Sequence, residues 1–241
     1  MRHGRYEILR MHQVPLTRIQ KLIGRRMMQS KRTKPCFYIE SKADVTQLMA
    51  IRPKLRKSLG VRITTNTFYI HILARAARRF PFVVGRIDGE CVRLADEINV
   101  GFAVNAPQGL VVPVVKQADR KALPEIAREE KRLTDKARDN KLTLEEIEGE
   151  TIALSNLGAY GTDSFIGIVP PPTATIISIG NVSHTIVPWD GHRTERKIVS
   201  LCLAADRRVI HEIYAARFLG LIKEQLQNPE QLVLTSSVVL K

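Results

Sequence analysis

Cysteine is scarce in this 241-residue chain. Cys36, Cys91 and Cys202 stand far apart with no C-x-x-C spacing, so neither a disulfide framework nor a zinc site is expected, and the reducing cytoplasm is the expected compartment. No apolar run approaches the roughly 18 residues that span a bilayer, and the N-terminus lacks the apolar middle of a secretion signal; no membrane partner is expected. Aromatic residues make up only 5%, so aliphatic side chains must fill the core. At 44% hydrophobic content there are enough of them for one large domain or two small ones. Glycine and proline, 14 and 12 residues, are too few for a fibrous or low-complexity chain. The common catalytic signatures are missing as well: no G-x-S-x-G elbow, no phosphate-cradling Walker loop, no G-x-G-x-x-G after a strand and no H-E-x-x-H. His3, His12, His71, His184, His192 and His211 have no ligand-type neighbour at helical spacing, and no metal is expected.

Acid is short at one end. The formal charge is +14, and residues 1–36 hold ten basic side chains against a single acid, Glu7, which places +9 of the total there. Such a segment attracts polyanions, phosphorylated cofactors or acidic partner surfaces; the plain alternative is a solvated helix face. A polyanion-binding module built on this segment is one functional reading. It ranks last, with nucleic acid the least expected partner, because no aromatic residues interleave with the basic ones.

Along the chain, Thr17-Arg-Ile-Gln20 fits a capping box opening a helix with Ile19, Leu22, Ile23 and Met27 inward and an end near Pro35. Residues 36–43 read as a strand. Asp44 caps a second helix with Leu48, Ile51 and Leu55 inward, which Pro53 must kink or shorten. A third helix opens at Thr65 or Asn66 and ends before Pro81. Residues 98–104 and 110–115 read as paired strands around a turn at Asn105–Gly109. Leu123, Ile126, Ala127, Leu133 and Ala137 line a fourth helix, residues 134–150 read as a charged linker, and strands are expected at 151–155, 175–179, 182–188 and 197–204. Ala215, Phe218, Leu219, Ile222 and Leu226 stripe a last helix. This is one α/β domain with a mixed sheet and helices packed over it.

Two polar groupings lie where strands end. Asp206-Arg207-Arg208-Val-Ile-His211-Glu212 separates a strand from a helix, and Ser155-Asn-Leu-Gly158 closes another strand. Each is more often a cap or turn than a site.

VPLTRIQKLIGRRM (14–27), INVGFAVNAPQGLVVPVVKQADRKAL (98–123), KLTLEEIEGETIALSNLG (141–158), PPPTATIISIG (170–180) and LCLAADRRVIHEIYAARFL (201–219), in that order and spacing, resemble the catalytic domain of dihydrolipoamide acyltransferases, the acyl-transferring cores of 2-oxo-acid dehydrogenase complexes. The resemblance divides the chain into a basic arm (1–13), an acyltransferase-like domain (14–234) and a tail (235–241). It implies a chloramphenicol-acetyltransferase-like fold, a homotrimer with sites between subunits, and larger cubic or dodecahedral cages. It also implies coenzyme A or an acyl-CoA as substrate, and partnership with other complex subunits or with lipoyl domains on another chain. No lipoyl lysine, lipoyl domain or peripheral-subunit-binding domain is expected in this chain. In the family a histidine within D-H-R-x-x-D-G, in which Asn sometimes replaces the second Asp, takes the thiol proton, and a hydroxyl of the S-N-L-G strand steadies the oxyanion. Ser155 matches that hydroxyl.

The histidine motif departs from the pattern. Its histidine position holds Arg207, its second acid position His211 and its glycine position Glu212. A guanidinium stays protonated and accepts no proton, and losing a general base costs about 10²–10⁴ in rate. An acyltransferase-fold scaffold or regulatory homologue without ordinary transfer is therefore the first expectation. A CoA-dependent acyltransferase with a rearranged site is the second: Ser155 would contribute on the order of 3 kcal/mol to the oxyanion, and His211 would serve as substitute base. Glu212, where glycine is usual, is expected either to crowd the backbone or to pair with Arg207.

Overall fold

The computed structural model describes residues 14–107, 109–189 and 192–230, with the side chains of Ile19, Trp189 and His192 left out. The basic arm at 1–13 and the tail at 235–241 lie outside the described residues.

Helix α1 (Arg18–Thr33) opens on the expected Thr17/Gln20 capping box. Strand β1 (Cys36–Asp44) leads to α2 (Thr46–Leu59), and α3 (Thr65–Arg79) opens on Thr64 as its N-cap. Then come β2 (Arg86–Asp88), β3 (Cys91–Arg93), β4 (Val100–Phe102), β5 (Val104–Ala106), β6 (Gly109–Val111), β7 (Val114–Val115), α4 (Leu123–Arg138), α5 (Leu144–Ile147), β8 (Ile152–Asn156), β9 (Thr175–Trp189), β10 (His192–Asp206) and α6 (Glu212–Gln227).

The main sheet has the order β1-β10-β9-β8-β4-β7 and is mixed: β8 runs parallel to both β4 and β9, and the other pairs are antiparallel. One face is packed by α3, α4 and α6. Leu201, Leu203 and Ala205 of β10, Ile177 and Ile179 of β9, and Ile152 and Leu154 of β8 point into that core, where Phe68, Phe102 and Phe218 are the largest buried side chains. The two-residue period of a strand sends the alternate residues to the other face.

Several expectations change in detail. The pair read at 98–104 and 110–115 divides in two: Val100 and Gly101 pair with β7 inside the main sheet, and Val104–Ala106 pair with β6 in a hairpin of their own. The break falls at Ala103, whose N–H turns to the Leu154 carbonyl. Helix α2 starts at Thr46, one turn fragment after Asp44, whose carboxylate accepts from the Thr46 N–H at 2.9 Å, and it continues through Pro53 to Leu59. Residues 134–150 are no linker. They finish α4 and form α5, and Glu146 of α5 accepts from both Arg132 and Lys136 of α4. The strands read at 175–179 and 182–188 are one continuous strand, β9.

Helix α1 differs most. Leu22 is 52% exposed, and Ser30 is its one buried residue. The helix is held by polar ties: the Ser30 hydroxyl donates to the Val169 carbonyl, the Lys34 ammonium to Pro170 and Thr173, and the Arg26 guanidinium to Pro171. Of the apolar stripe read from its sequence, Leu22 is exposed and Ile23 and Met27 are half-buried among the described residues.

Candidate functional site

Ser155 is the fourth of five residues in β8, opposite Ser178 of β9. Three contacts fix the strand end. Asn156 turns its side-chain oxygen to the Gly158 N–H at 2.9 Å and its amide to Asn66 Oδ1 at 2.9 Å, and the Leu157 N–H donates to the Ile179 carbonyl. The chain beyond is pressed against β9. A Cβ on Gly180 would stand 1.9 Å from the Asp163 carbonyl oxygen, and one on Gly158 would stand 2.5 Å from the Gly180 oxygen. Because both obstacles are backbone, Gly180→Ala is expected to cost about 1–3 kcal/mol, read as a lowered urea midpoint with unchanged slope.

Ser155 lines a cleft of about 620 Å³ between the start of α3, the β5–β6 hairpin, α4 and the turn at 156–160. Its hydroxyl makes no hydrogen bond among the described residues. Arg62, Lys131 and Arg138 stand on the cleft wall together with the carboxylates of Glu130 and Asp135, and Lys131 is paired with Asp135. Two wall residues were not read as site residues from the sequence. Asn66 anchors Asn156, and Glu130 is a buried carboxylate accepting from the Thr64 and Thr67 hydroxyls, with burial pushing its carboxyl up. A signal for Glu130 existed: it falls on the α4 stripe of Ile126, Ala127, Leu133 and Ala137 as its one charged member.

At the other grouping, Asp206 ends β10 almost wholly buried. Arg208 grips it through Nε at 3.0 Å and Nη2 at 2.6 Å. Arg207 donates its backbone N–H to Pro35 and its Nε to Glu212 Oε1 at 2.8 Å, with both side chains about half exposed. Glu212 begins α6 in ordinary helical conformation, so the crowding expected of a residue in a glycine position does not arise here. Its own backbone N–H, and then Arg207, hold its carboxyl below the usual range. His211 is the N-cap of α6. Its Nδ1 accepts from the Tyr214 N–H at 3.3 Å, which leaves Nε2 to carry the proton of the neutral ring.

The fold gathers Arg207, His211 and Glu212 on one turn but does not bring Ser155 to them. Ser155 pairs with position 178 of β9, Asp206 lies next to position 174 two strands away, and strand spacings put them on the order of 16 Å apart.

Residues 10–234 match the model of the 2-oxoacid dehydrogenases acyltransferase (catalytic domain). The chain belongs to this acyltransferase family. It is 34% identical over 220 residues to the dihydrolipoyllysine-residue acetyltransferase component of the pyruvate dehydrogenase complex of Rickettsia felis, a match covering 90% of this chain and 53% of the relative; the chain spans about half the length of that relative. Among solved structures, the dihydrolipoamide acetyltransferase of Azotobacter vinelandii superposes with a TM-score of 0.87 at 29% identity, over 92% of this chain and 94% of that one. A pyruvate dehydrogenase cubic core gives the same figures. The Azotobacter work concerns the catalytic role of a serine, of a histidine 52 residues later and of an asparagine four residues beyond that. Among the described residues, no helix is long and apolar enough to cross a membrane.

Proposed function

We propose that this acyltransferase domain does not carry out ordinary dihydrolipoamide acyl transfer and acts as an oligomeric scaffold or regulatory homologue. The observation that carries this reading is the Arg207–Glu212 ion pair at the family's histidine position. Ser155, Arg207 and His211 reproduce the 52- and four-residue spacings of the Azotobacter serine, histidine and asparagine, which supports reading Arg207 as standing where that histidine stands. In this reading His211 does not take over that role, because its Nδ1 accepts from the Tyr214 N–H at the start of α6.

Assembly as a homotrimer follows from what one chain leaves undone. Ser155 and Arg207 sit at separate places on the sheet, and a neighbouring subunit would supply one to the other. Leu22, Met28, Tyr38, Ile166 and Ile168 are each at least two-fifths exposed, and Tyr38, Ile166 and Ile168 line one pocket, apolar surface that a neighbouring subunit would cover. A cage of such trimers, and docking of lipoyl domains carried on other chains, extend the same reading.

Acetyl-CoA and dihydrolipoamide mixed with the pure protein are expected to give turnover at least 10²-fold below that of an active family member; comparable turnover refutes the scaffold reading. The Ser155 hydroxyl, which has no hydrogen bond among the described residues and lines an open cleft, favours one alternative, a CoA-dependent acyltransferase with a different acceptor or a rearranged site. Titration calorimetry tests it, because absence of heat at millimolar CoA eliminates that alternative.

A further inference from the structure

The outer half of the β9–β10 pair leaves the main sheet. Strand β1 stays beside β10 only as far as the Asp44–Ile198 pair, and β8 stays beside β9 only as far as Asn156–Ile179. The last ties on either side are polar. The Asn181 N–H donates to the Thr162 carbonyl, while the Lys197 carbonyl accepts from the Val45 N–H and its N–H donates to the Thr46 hydroxyl at 2.8 Å. Beyond them the two strands pair only with each other, in unbroken register from Ser183–Ile198 to Trp189–His192. Along the outer edge of β9, the backbone groups of residues 182–187 have no partner among the described residues. A ribbon of two strands is marginally stable in water, and further strands ordinarily secure it.

The two strands of the ribbon differ in charge. Between 182 and 187, β9 carries no Lys, Arg, Asp or Glu, and Val182, Thr185, Ile186 and Val187 are β-branched, the residue type that suits a pleated sheet. Ser183, His184, Thr185 and Ile186 are exposed, Ile186 to 70%. Strand β10 carries Arg193, Arg196 and Lys197 against one acid, Glu195, the kind of charge that keeps an edge from pairing. The β9 edge lacks that protection and is open to another strand through main-chain hydrogen bonds. With a net charge of +14, two copies of the chain repel each other over much of their surface, and the uncharged β9 edge is a place where they can lie side by side. Two ribbons joined there form four strands, with both β9 strands inside and both charged β10 strands outside, where the charges stop further addition. That closure selects a second copy as the occupant, since a single foreign strand would present a new open edge.

We infer that residues 182–187 pair antiparallel with the same residues of a second copy of this chain, building a four-stranded sheet across a twofold axis. Such a contact is isologous and therefore closed. It uses none of the residues assigned above to the trimer, so it joins monomers and trimers alike. A shell of trimers linked in this way rests on the trimer proposed above; the pairing itself does not.

The test is the mass of the full chain by light scattering, beside the double variant Thr185→Lys, Ile186→Lys. Both positions are exposed, and an unchanged urea midpoint shows that the fold is intact. The mass is expected to fall at least twofold in the double variant. Thr194→Lys, on the same face of the ribbon but on β10, is expected to leave the mass unchanged. Spin labels check the pairing without the lysines. Thr194 and Val187 stand opposite each other, so in a Cys91→Ser background the labels at Val187→Cys are expected closer between copies than those at Thr194→Cys, by up to about 10 Å from two strand spacings. A mass untouched by the lysine pair, or Thr194 labels closer than Val187 labels, overturns the pairing and leaves the β9 edge to a strand of another protein. A lysine variant that runs as a monomer would remove the trimer reading and leave the pairing standing.

Discussion

Arg207→His combined with His211→Asp is expected to raise acetyl transfer from acetyl-CoA to dihydrolipoamide about 10²–10⁴-fold above the natural chain, the span that a positioned general base contributes. The exchange restores a titratable ring at the position that Arg207 now holds in an ion pair with Glu212. It also respects the local structure. His211 is the N-cap of α6, and aspartate is among the strongest N-caps, so the helix start survives. Glu212 loses its cationic partner but is already half exposed, and its carboxylate remains favourable in the first turn of a helix. Arg207→His alone is expected to give a smaller gain. The readout is kcat with CoA release, with light scattering to show that assembly is unchanged. A double variant that keeps its assembly and binds CoA, yet turns over no faster than the natural chain, would place the defect somewhere other than Arg207.

The second large effect concerns His71, in the middle of α3. It is 2% exposed, neither ring nitrogen has a hydrogen-bond partner among the described residues, and burial, followed by the nearby Arg75 cation, pulls its pKa to about 4. The unfolded chain titrates at about 6.5. Between these values the unfolded state holds a proton that the folded state refuses, so stability falls as the pH is lowered from 6.5 towards 4 and is independent of this group above 6.5. By pH 4.5 the loss is about 2.5 kcal/mol, at 1.36 kcal/mol per pK unit. Glu130 and Glu150 act in the opposite sense, because burial raises both carboxyls and protonation relieves them. Comparing the natural chain with His71→Leu isolates the imidazole. The variant's advantage in urea unfolding is expected to grow by about 2.5 kcal/mol from pH 7 to pH 4.5. A difference constant across that range would show that the ring is protonated or solvated in the folded state.

Much of the fold can be read from local pattern. Capping at Thr17, the apolar stripes of α4 and α6 and the strand at β1 depend on neighbours within one or two turns, and each element forms where its pattern stands. The misreadings share one cause. A break at Ala103 depends on a carbonyl of β8, and the helical character of 134–150 depends on ion pairs between α4 and α5. Neither partner is near in sequence. The α1 stripe was legible as a stripe, but among the described residues Leu22 is exposed and Ile23 and Met27 are only half-buried.

By itself the amino-acid sequence determined that this is a mixed α/β acyltransferase-family domain and that position 207 carries a permanently charged guanidinium, since residue identity alone sets whether a group can titrate. Only the tertiary structure decided that His211 is already committed as a helix cap, that Arg207 is neutralised by Glu212, and that Ser155 opens on a cleft two strands away. Those are facts of distance and direction between groups, and the sheet register that sets them is fixed by burial on one face rather than by any short stretch of chain.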